Sequence, residues 1–457
     1  LMRQALELAG RDSGAPAILA GADAVFIPRG TWGYANPAEI VVPWKPGIRS
    51  VLANVGVLQQ TLLSRACSMV ASGSADVVLV VGGEAKQRAM RGQISGEPAP
   101  ERSTTGEPDE RLVPTQDVVT PTEIARGLMV PARQFALIDT ALRSAQGLTP
   151  REHSQLLADL WSGFSEIAAT NAHAWSRRHS APDAISASPM LAWPYTKLLC
   201  SQWNVDQAAA LIVCNAGTAA RFGIAPERWV FAHAGVESNA MVPLTLRGDM
   251  HRSPAVEAVG RAIRHAVGVD PRDFEHVDLY SCFPAAVRVQ ANELGLATDR
   301  PLTVTGGMTF GGGPFNNYSL ASLATMIDHL RSRPADIGLV TNVSGMLTKF
   351  GASAWSCRPP AASAGSTSSF AAIDVSAEVV AATATTSLDP EYSGSALSVT
   401  YTVVFDHGQP VQGIVIGGAA DGRRCLATTV DAGLIADMLD VDWCGREVHV
   451  DGATLLG

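Results

Sequence analysis

Two stretches of the chain share one pattern of polar and apolar positions. Residues 66–83 read ACSMVASGSADVVLVVGG, and residues 324–345 read ATMIDHLRSRPADIGLVTNVSG. Each has a helical segment, a turn, an Ala-Asp pair and then a continuous apolar run, so that Asp76 and Asp336 occupy equivalent places. A helix followed by such a run is typical of a parallel βαβ unit whose strand is buried on both faces. The repeat predicts two similar α/β halves packed together.

The same pattern continues on both sides of the two copies. It predicts a helix and several strands, namely a helix at Pro254–Val267 and strands at Ala208–Cys214, Trp229–Ala234 and His276–Tyr280. Between the halves lies a long insertion, which begins with a polar stretch, Ile94–Val119, rich in Gly, Pro and acidic residues. That stretch predicts a loop, whereas Thr149–Ser176 has helical spacing. An insertion of this length is usually functional rather than a plain connection.

The pattern changes again after residue 357. Residues 358–369, RPPAASAGSTSS, have the composition of an interdomain linker. Beyond them the sequence predicts a series of short strands with turns between them and one short helix. The strands are at Ala377–Thr383, Ser395–Phe405, Pro410–Ile416 and Arg424–Thr429, the turns at Asp406–Gly408 and 421–422, and the helix at Leu434–Leu439. This region predicts a small β-barrel or sandwich, with an oligomer-binding-type barrel as one form.

The pattern therefore divides the chain into five parts. The predicted parts are a first half made of residues 1–83 and 207–227, an inserted loop domain at 84–206, a second half at 228–357, the linker at 358–369, and an extra β-rich domain at 370–457. A chain of 457 residues is too long for a single core, which agrees with this division.

Composition and charge narrow the function classes. Hydrophobic residues make up 47% of the chain and charged residues 17%, as in folded rather than disordered proteins. The net charge of −9 argues against a nucleic-acid partner, which would require a basic surface. No apolar run reaches the roughly 20 residues of a membrane span, and no signal peptide is visible, so we expect a cytoplasmic protein. Leu1 opens directly on a helical pattern, and we expect that a preceding segment is missing.

The metal-ligating and thiol residues are scattered. None of the seven cysteines forms a C-x-x-C pair, and the ten histidines form no cluster with ligand spacing. The sequence therefore predicts no metal site and free thiols in a reducing compartment.

Four segments resemble one known family in their order and spacing. They are ADVVLVVGGEA at 75–85, PYTKLLCSQWNVDQAAALIV at 194–213, HVDLYSCFPAAV at 276–287 and TVTGGMTFGGGPFNNY at 303–318. These resemble the landmark segments of the thiolase superfamily, and as a set those of the thiolase-like proteins of type 1, which carry an added C-terminal domain. The resemblance covers about residues 1–357, and the extra domain agrees with it. It implies a five-layered αβαβα arrangement, with a pair of central helices and an inserted loop domain.

The resemblance also implies a chemistry that these residues do not support. Thiolases transfer acyl groups through a cysteine thiolate at a helix N-terminus, a histidine base, a second cysteine and an oxyanion-stabilising Asn or His. The resemblance places these at Gly56, Gly313, Asn342 and Tyr280, respectively. Because such residues act as one unit, their joint replacement predicts little or no acetyl-CoA acetyltransferase activity.

A candidate pocket nevertheless remains at the same positions. Its residues are Tyr280, Ser281, Gly312, Gly313, Pro314, Asn316, Asn317 and Asn342. Glycines in the turn would let backbone N–H groups approach a ligand closely. Asn316 lies as far before Asp336 as Gly56 lies before Asp76, so it should begin a buried helix, either as its N-cap or as a polar group aimed at a thioester carbonyl. Tyr280 either stabilises an oxyanion or fills space.

A second group of residues lies at the exit of the insertion, where the family binds CoA. The resemblance makes Tyr195, Lys197, Trp203 and Asn204 candidate ligand contacts, although a lone Lys is more often a surface residue and a Trp more often part of the core. Lys349, which follows the second-cysteine loop, allows the same two interpretations. Cys67 and Cys357 are interpreted as structural thiols.

Three functional hypotheses follow. The first is a protein that binds CoA or acyl-CoA thioesters, without a covalently bound cofactor and without thiolase turnover. The second is a cysteine-free retro-aldolase acting on a 3-hydroxyacyl-CoA, with Tyr280 as acid/base and Asn316 or Asn342 polarising the thioester; relatives of this type work with a partner protein bearing a β-barrel. The third is an interaction module that binds a protein partner through residues 370–457. The sequence allows a monomer or a homodimer.

Overall fold

A computed structural model describes residues 1–98, 101–360 and 370–457. Most of the predicted linker, residues 361–369, therefore lies outside the described residues. The helices are α1 (Met2–Asp12), α2 (Ala38–Val41), α3 (Gln59–Ala71), α4 (Lys86–Ser95), α5 (Pro121–Ala125), α6 (Pro131–Ala145), α7 (Pro150–Thr170), α8 (Pro182–Ser186), α9 (Ala216–Arg221), α10 (Pro254–Val267), α11 (Pro284–Leu294), α12 (Tyr318–Ser332), α13 (Ser376–Ala382) and α14 (Ala432–Asp440).

The strands form three sheets. They are β1 (Ala24–Pro28), β2 (Arg49–Ala53), β3 (Val77–Ala85), β4 (Glu110–Leu112), β5 (Met190–Ala192), β6 (Tyr195–Thr196), β7 (Asp206–Cys214), β8 (Phe231–Ser238), β9 (His276–Asp278), β10 (Ile337–Ser344), β11 (Lys349–Ser356), β12 (Ala371–Asp374), β13 (Ser393–Asp406), β14 (Gln409–Gly418), β15 (Arg424–Thr429), β16 (Glu447–Asp451) and β17 (Thr454–Leu455). Their orders are β4-β2-β1-β3-β7, β12-β8-β11-β10-β9 and β14-β15-β17-β16-β13-β5-β6.

The internal repeat is confirmed as two helix–strand units, α3–β3 and α12–β10. Strand β3 is parallel to β1, and β10 is parallel to β9. All but one of the residues in each of β3 and β10 are buried, which explains why both read as unbroken apolar runs. The two units thus belong to two different sheets, as the repeat predicts.

The two helices of the repeat lie between the sheets. Helix α3 packs against β3 of the first sheet and β8 of the second, and α12 packs against β10 and β7. The absence of a side chain at Gly351 allows this approach, since a Cβ there would lie 2.6 Å from Gln60 Cβ. Leu62, Leu323 and Met326 from the two helices meet in one core cluster. The central helix pair is the middle layer between the two sheets, in agreement with the predicted five-layered αβαβα arrangement.

The C-terminal strands close into a barrel. Strand β13 pairs with β14 on one side and β16 on the other, and β14, β15, β17 and β16 complete the ring. The predicted β-rich, barrel-like domain is confirmed. The predicted strand at Ala377–Thr383 is wrong, because these residues form α13. Alanine and glutamate favour a helix there, and Val379 provides its buried contact.

The insertion connects the barrel to the two α/β halves. Its hairpin β5–β6 extends the barrel sheet, with Ala192 opposite Val404. Thr402 Oγ1 donates to the Trp193 carbonyl at 2.7 Å. The Ile94–Val119 stretch, predicted as a loop, contains β4, which pairs with the outer edge of β2. Strand β12, predicted to belong to the extra domain, instead pairs with β8 of the second sheet.

Within the described ranges, no helix is long and apolar enough to cross a membrane. The same residues contain no group of three or more His, Cys, Asp or Glu side chains arranged to hold a metal ion.

Candidate functional site

The start of α3 carries the position at which the resemblance places the nucleophile. Gly56 lies three residues before α3 and has a φ of +95°, which favours glycine. A Cβ at this position would lie 3.2 Å from Pro114 Cγ. Its carbonyl accepts a 3.1 Å hydrogen bond from Lys349 Nζ. The turn that would hold a thiolate is therefore shaped for a residue without a side chain.

The glycine-rich segment approaches other parts of the same chain very closely. A Cβ at Gly307 would lie 2.5 Å from Phe164 Cδ1, and one at Gly313 would overlap Ser201 Oγ. Two of the segment's backbone donors are paired internally, since Gly313 N donates to the Gln202 carbonyl at 2.9 Å and Met308 N donates to Ser281 Oγ at 3.0 Å. Neighbouring protein atoms thus occupy the space beside these glycines. At Gly313, the family's histidine position, a side chain would overlap Ser201 as it stands.

A buried carboxylate that sequence reasoning missed holds this segment in place. Asp278, at the end of β9, is fully buried. Its Oδ1 accepts from the Thr303 hydroxyl, the Val304 N–H and both donors of Thr305, at 2.7 to 3.2 Å. Its Oδ2 accepts from the hydroxyls of Tyr318 and Ser322, at 3.0 and 2.5 Å. The only sequence signal was an acidic residue inside an apolar strand prediction.

The asparagine side chains of the predicted pocket do not cap α12. Asn317, rather than Asn316, is the residue before α12, and it makes no side-chain capping hydrogen bond. Both amide atoms of Asn317 are buried without a hydrogen-bond partner, as is Asn316 Nδ2. Asn342 Nδ2 donates to Gln60 Oε1 of α3 at 3.1 Å, whereas its Oδ1 is buried and unpartnered. Burying an amide atom without a hydrogen bond costs free energy of folding, so these unpaired atoms are available for hydrogen bonds to a polar ligand or water.

Tyr280 lies at the edge of the same region. It is 9% exposed, and its ring meets that of Tyr318 edge-on with centroids 5.5 Å apart. Among the described residues, its hydroxyl has no hydrogen-bond partner, while its backbone N–H donates to Thr341 Oγ1 at 2.8 Å. Burial, with a smaller effect of Cys282, raises the pKa of Tyr280. The phenol is therefore a neutral donor over the physiological pH range rather than a base.

The candidate CoA contacts at the insertion exit differ widely in burial. Tyr195 is fully buried, where its hydroxyl donates to Asp139 Oδ2 at 2.7 Å and accepts from the Ala285 N–H at 3.1 Å. Burial opposes ionisation of Asp139, but Arg288 and His153 outweigh it and lower the pKa of Asp139 to about 2. Tyr195 is thus part of a buried polar network and has no surface open to a ligand.

The other three residues of that group remain nearer the surface. Lys197 is exposed, Asn204 is half-buried, and Trp203 is 48% exposed, so the core interpretation of Trp203 is wrong. The ammonium of Lys86 lies over the Trp203 ring. A flat aromatic surface carrying a cation is a reasonable contact for a ligand that stacks.

The buried cysteines of the core are poor nucleophiles at neutral pH. Burial raises the pKa of Cys67 and of Cys200 to about 12, so neither carries a thiolate at neutral pH. The interpretation of Cys67 as a core residue is confirmed, since it packs in the cluster formed by α3 and α12. Cys357 donates to the Leu330 carbonyl at the end of α12.

Two halves around a central helix pair, an inserted domain and the loops described above define a thiolase fold. The chain is similar over 99% of its length, with 27% identity and a TM-score of 0.84, to the crystal structure of a monomeric SCP2-thiolase-like protein type 1 from Mycobacterium smegmatis, of which it covers 92%. Residues 374–453 match the family described as the thiolase-like protein type 1 additional C-terminal domain. The chain is therefore similar over almost its whole length to a thiolase-like protein of type 1, and residues 374–453 match the added C-terminal domain of that family.

Two more distant structures share the fold alone. One is the Ltp2–ChsH2(DUF35) aldolase, with 22% identity, a TM-score of 0.57 and coverage of 78% of this chain and 92% of that chain. The other is the dimeric peroxisomal thiolase of Saccharomyces cerevisiae, with 12% identity, a TM-score of 0.55 and coverage of 77% and 90%. No curated protein sequence matches the chain.

Proposed function

We propose that this protein binds CoA or acyl-CoA thioesters at the remnant of the thiolase site without thiolytic turnover. The observation that carries the proposal is that the fold is retained, while glycine stands at two positions where the family has catalytic side chains. Gly56 has a φ of +95° beside Pro114, and the space for a side chain at Gly313 is occupied by Ser201. The unpaired amide atoms of Asn317 and the unpartnered Oδ1 of Asn342 supply polar contacts for the thioester.

Titration calorimetry with CoA, acetyl-CoA and acetoacetyl-CoA tests this proposal. We expect saturable binding of at least one thioester, with no CoA-dependent cleavage of acetoacetyl-CoA in the same samples. Rapid thiolysis would contradict the loss of the relay. Absence of binding to all three would reject the proposal and favour the interaction-module hypothesis, in which residues 370–457 recruit a protein partner.

A retro-aldolase is the second candidate function. It is favoured by the Tyr280 hydroxyl, which has no protein partner among the described residues, and by the similarity of fold to the Ltp2–ChsH2(DUF35) aldolase. In this chain the barrel is covalently attached and packs on the insertion. A neutral phenol can donate a hydrogen bond to the thioester carbonyl oxygen of a 3-hydroxyacyl thioester, where negative charge develops as the carbon–carbon bond breaks.

The test is Tyr280→Phe, assayed by release of an aldehyde or ketone from a 3-hydroxyacyl-CoA. We expect at least a hundredfold loss of any cleavage activity, because one positioned donor typically contributes 10²–10³ in rate. The ring remains in Phe, so its contact with Tyr318 is preserved and folding serves as the control. Cleavage at the unaltered rate would remove Tyr280 from the mechanism.

A monomer is also part of the proposal. Strand β4 pairs with the outer edge of β2, so this edge of the first sheet is already covered by the chain itself. The structure from Mycobacterium smegmatis is described as monomeric. A cytoplasmic location remains a prediction.

A further inference from the structure

Lys349 is an unusual residue in this chain. The sequence contains 34 basic residues, of which only four are lysines: Lys45, Lys86, Lys197 and Lys349. Lys349 begins β11 and is 2% exposed, whereas Lys197 is exposed and Lys45 is half-buried. Its sequence interpretation as a surface residue is therefore wrong. A buried lysine in a chain that otherwise uses arginine for most of its positive charge requires a reason.

The buried amine has no compensating negative charge. Its Nζ donates to the Gly56 carbonyl at 3.1 Å, and within the part of the chain that the structure describes it forms no ion pair. Burial alone lowers the pKa of Lys349. A desolvated ammonium with one neutral acceptor is less stable than one in water, so a larger fraction of the amine is neutral and nucleophilic at a given pH than for an exposed lysine.

The amine also ends at the position from which the nucleophile is missing. Among the described residues, its one hydrogen-bond acceptor is the carbonyl of Gly56, which follows the 47% exposed Val55. In the β10–β11 ladder, Lys349 lies opposite Ser344 and Asn342 lies opposite Gly351. Directly paired residues share a face of the sheet, so Asn342, with its unpartnered Oδ1, projects to the same side as Lys349.

The turn that delivers Lys349 is strained. Met346 and Leu347, between β10 and β11, have φ values of 51° and 74°, which side-chain-bearing residues rarely adopt. The turn is held by Arg247 Nη2, which donates to the Gly345 carbonyl at 3.1 Å, and by Ser253 Oγ, which donates to the Leu347 carbonyl at 2.8 Å. Such strain persists where surrounding contacts impose a particular geometry, as at ligand sites.

We propose that Lys349 forms a reversible imine with the keto group of a 3-ketoacyl thioester bound at this site. The inference rests on the proposed function, to which it adds the residue that captures the ligand. The lone pair of the neutral Nζ attacks the carbonyl carbon, the two protons of the amine are transferred to the carbonyl oxygen, and that oxygen leaves as water. A carbon–nitrogen double bond results, and hydrolysis reverses it, so that neither an oxidant nor a reductant is required.

Reductive trapping tests the proposal on the intact chain. The protein is incubated with acetoacetyl-CoA and, separately, with acetoacetate; sodium borohydride is added, and the modified peptides are mapped by mass spectrometry. We expect borohydride-dependent modification of Lys349 to exceed that of Lys45 and Lys197 at least tenfold. Because the chain has four lysines, every site can be quantified in one digest.

Two variants separate capture from a structural role. Lys349→Arg keeps a donor for the Gly56 carbonyl but forms no imine, so it should fold and lose the modification. Lys45→Arg is the matched control, because Lys45 is also partly buried but donates to the Ala20 carbonyl, away from the residues of the candidate site, and trapping at Lys349 should be unchanged. Equal labelling of all lysines, or no labelling of Lys349, would overturn the proposal.

The two ligands keep the two proposals apart. Calorimetric binding of acetoacetyl-CoA without any trapping at Lys349 would leave thioester binding standing and reject the imine. Trapping of Lys349 by acetoacetate, with no binding of any CoA thioester, would support a reactive amine and reject CoA recognition.

Discussion

Replacing Asp278 with alanine is expected to lower the free energy of unfolding by about 3–5 kcal/mol. The carboxylate is fully buried and accepts hydrogen bonds from Thr303, Val304, Thr305, Tyr318 and Ser322. Its removal leaves several buried donors without an acceptor, and each such donor costs roughly 1–3 kcal/mol. Urea denaturation of the intact chain, followed by circular dichroism, measures the change.

Asp299→Ala is the matched control for this experiment. Asp299 is exposed on the connection that leads from α11 to the glycine-rich segment, so its removal should change stability by no more than about 0.5 kcal/mol. If Asp278→Ala were as well tolerated as Asp299→Ala, the carboxylate would not be what fixes the glycine-rich segment. The same measurement therefore tests how this part of the site is positioned.

Restoring the family's residues is expected to damage the fold without restoring thiolysis. Gly313→Ala should lower the free energy of unfolding by about 1–3 kcal/mol, because its Cβ would overlap Ser201 Oγ and lie 3.3 Å from the carbonyl oxygens of Gln202 and Met308. Histidine is larger and should cost more. In Gly56→Cys, the new side chain would occupy a backbone with a φ of +95°. We therefore expect no CoA-dependent cleavage of acetoacetyl-CoA by the Gly56→Cys/Gly313→His variant.

Two comparisons make this result interpretable. Gly33 has open space where its Cβ would be, so Gly33→Ala should leave stability nearly unchanged. Adding Ser201→Gly to Gly313→Ala should recover a substantial part of the lost stability, because the closest overlapping atom is removed. A Gly313→Ala variant as stable as Gly33→Ala, or thiolytic turnover by the restored variant, would show that the site is not sterically closed.

The pattern of apolar and polar side chains predicted those helices and strands whose buried faces are regular along their length. The runs that became β3 and β10 are apolar throughout because both faces of each strand are covered, and the helix at Pro254–Val267 shows its spacing because one face is buried. The pattern failed at α13, where two valines outweighed the alanines in the prediction. It also failed at β4, whose three residues have no apolar face and are a strand because β2 offers an open edge.

The site divides in the same way. The prediction that Gly56, Gly313 and Asn342 replace the Cys, His and Cys of the family came from the sequence, because it depends only on residue identity at the positions that the resemblance indicates. The roles of Asp278 and Lys349 could not, since each depends on partners distant in sequence: Tyr318 lies 40 residues from Asp278, and Gly56 lies 293 residues from Lys349.

The sequence by itself determined the repeat, the layered α/β class and the barrel at the C-terminus, and it predicts the loss of the thiolase relay. These follow from local hydrophobic period and from which atoms the side chains contain. Only the tertiary structure decided that Ser201 closes the histidine position, that Tyr195 is buried and that an uncompensated amine lies under Gly56. Burial and pKa depend on what the fold places within a few ångströms of a group, and that neighbourhood is not encoded by sequence spacing.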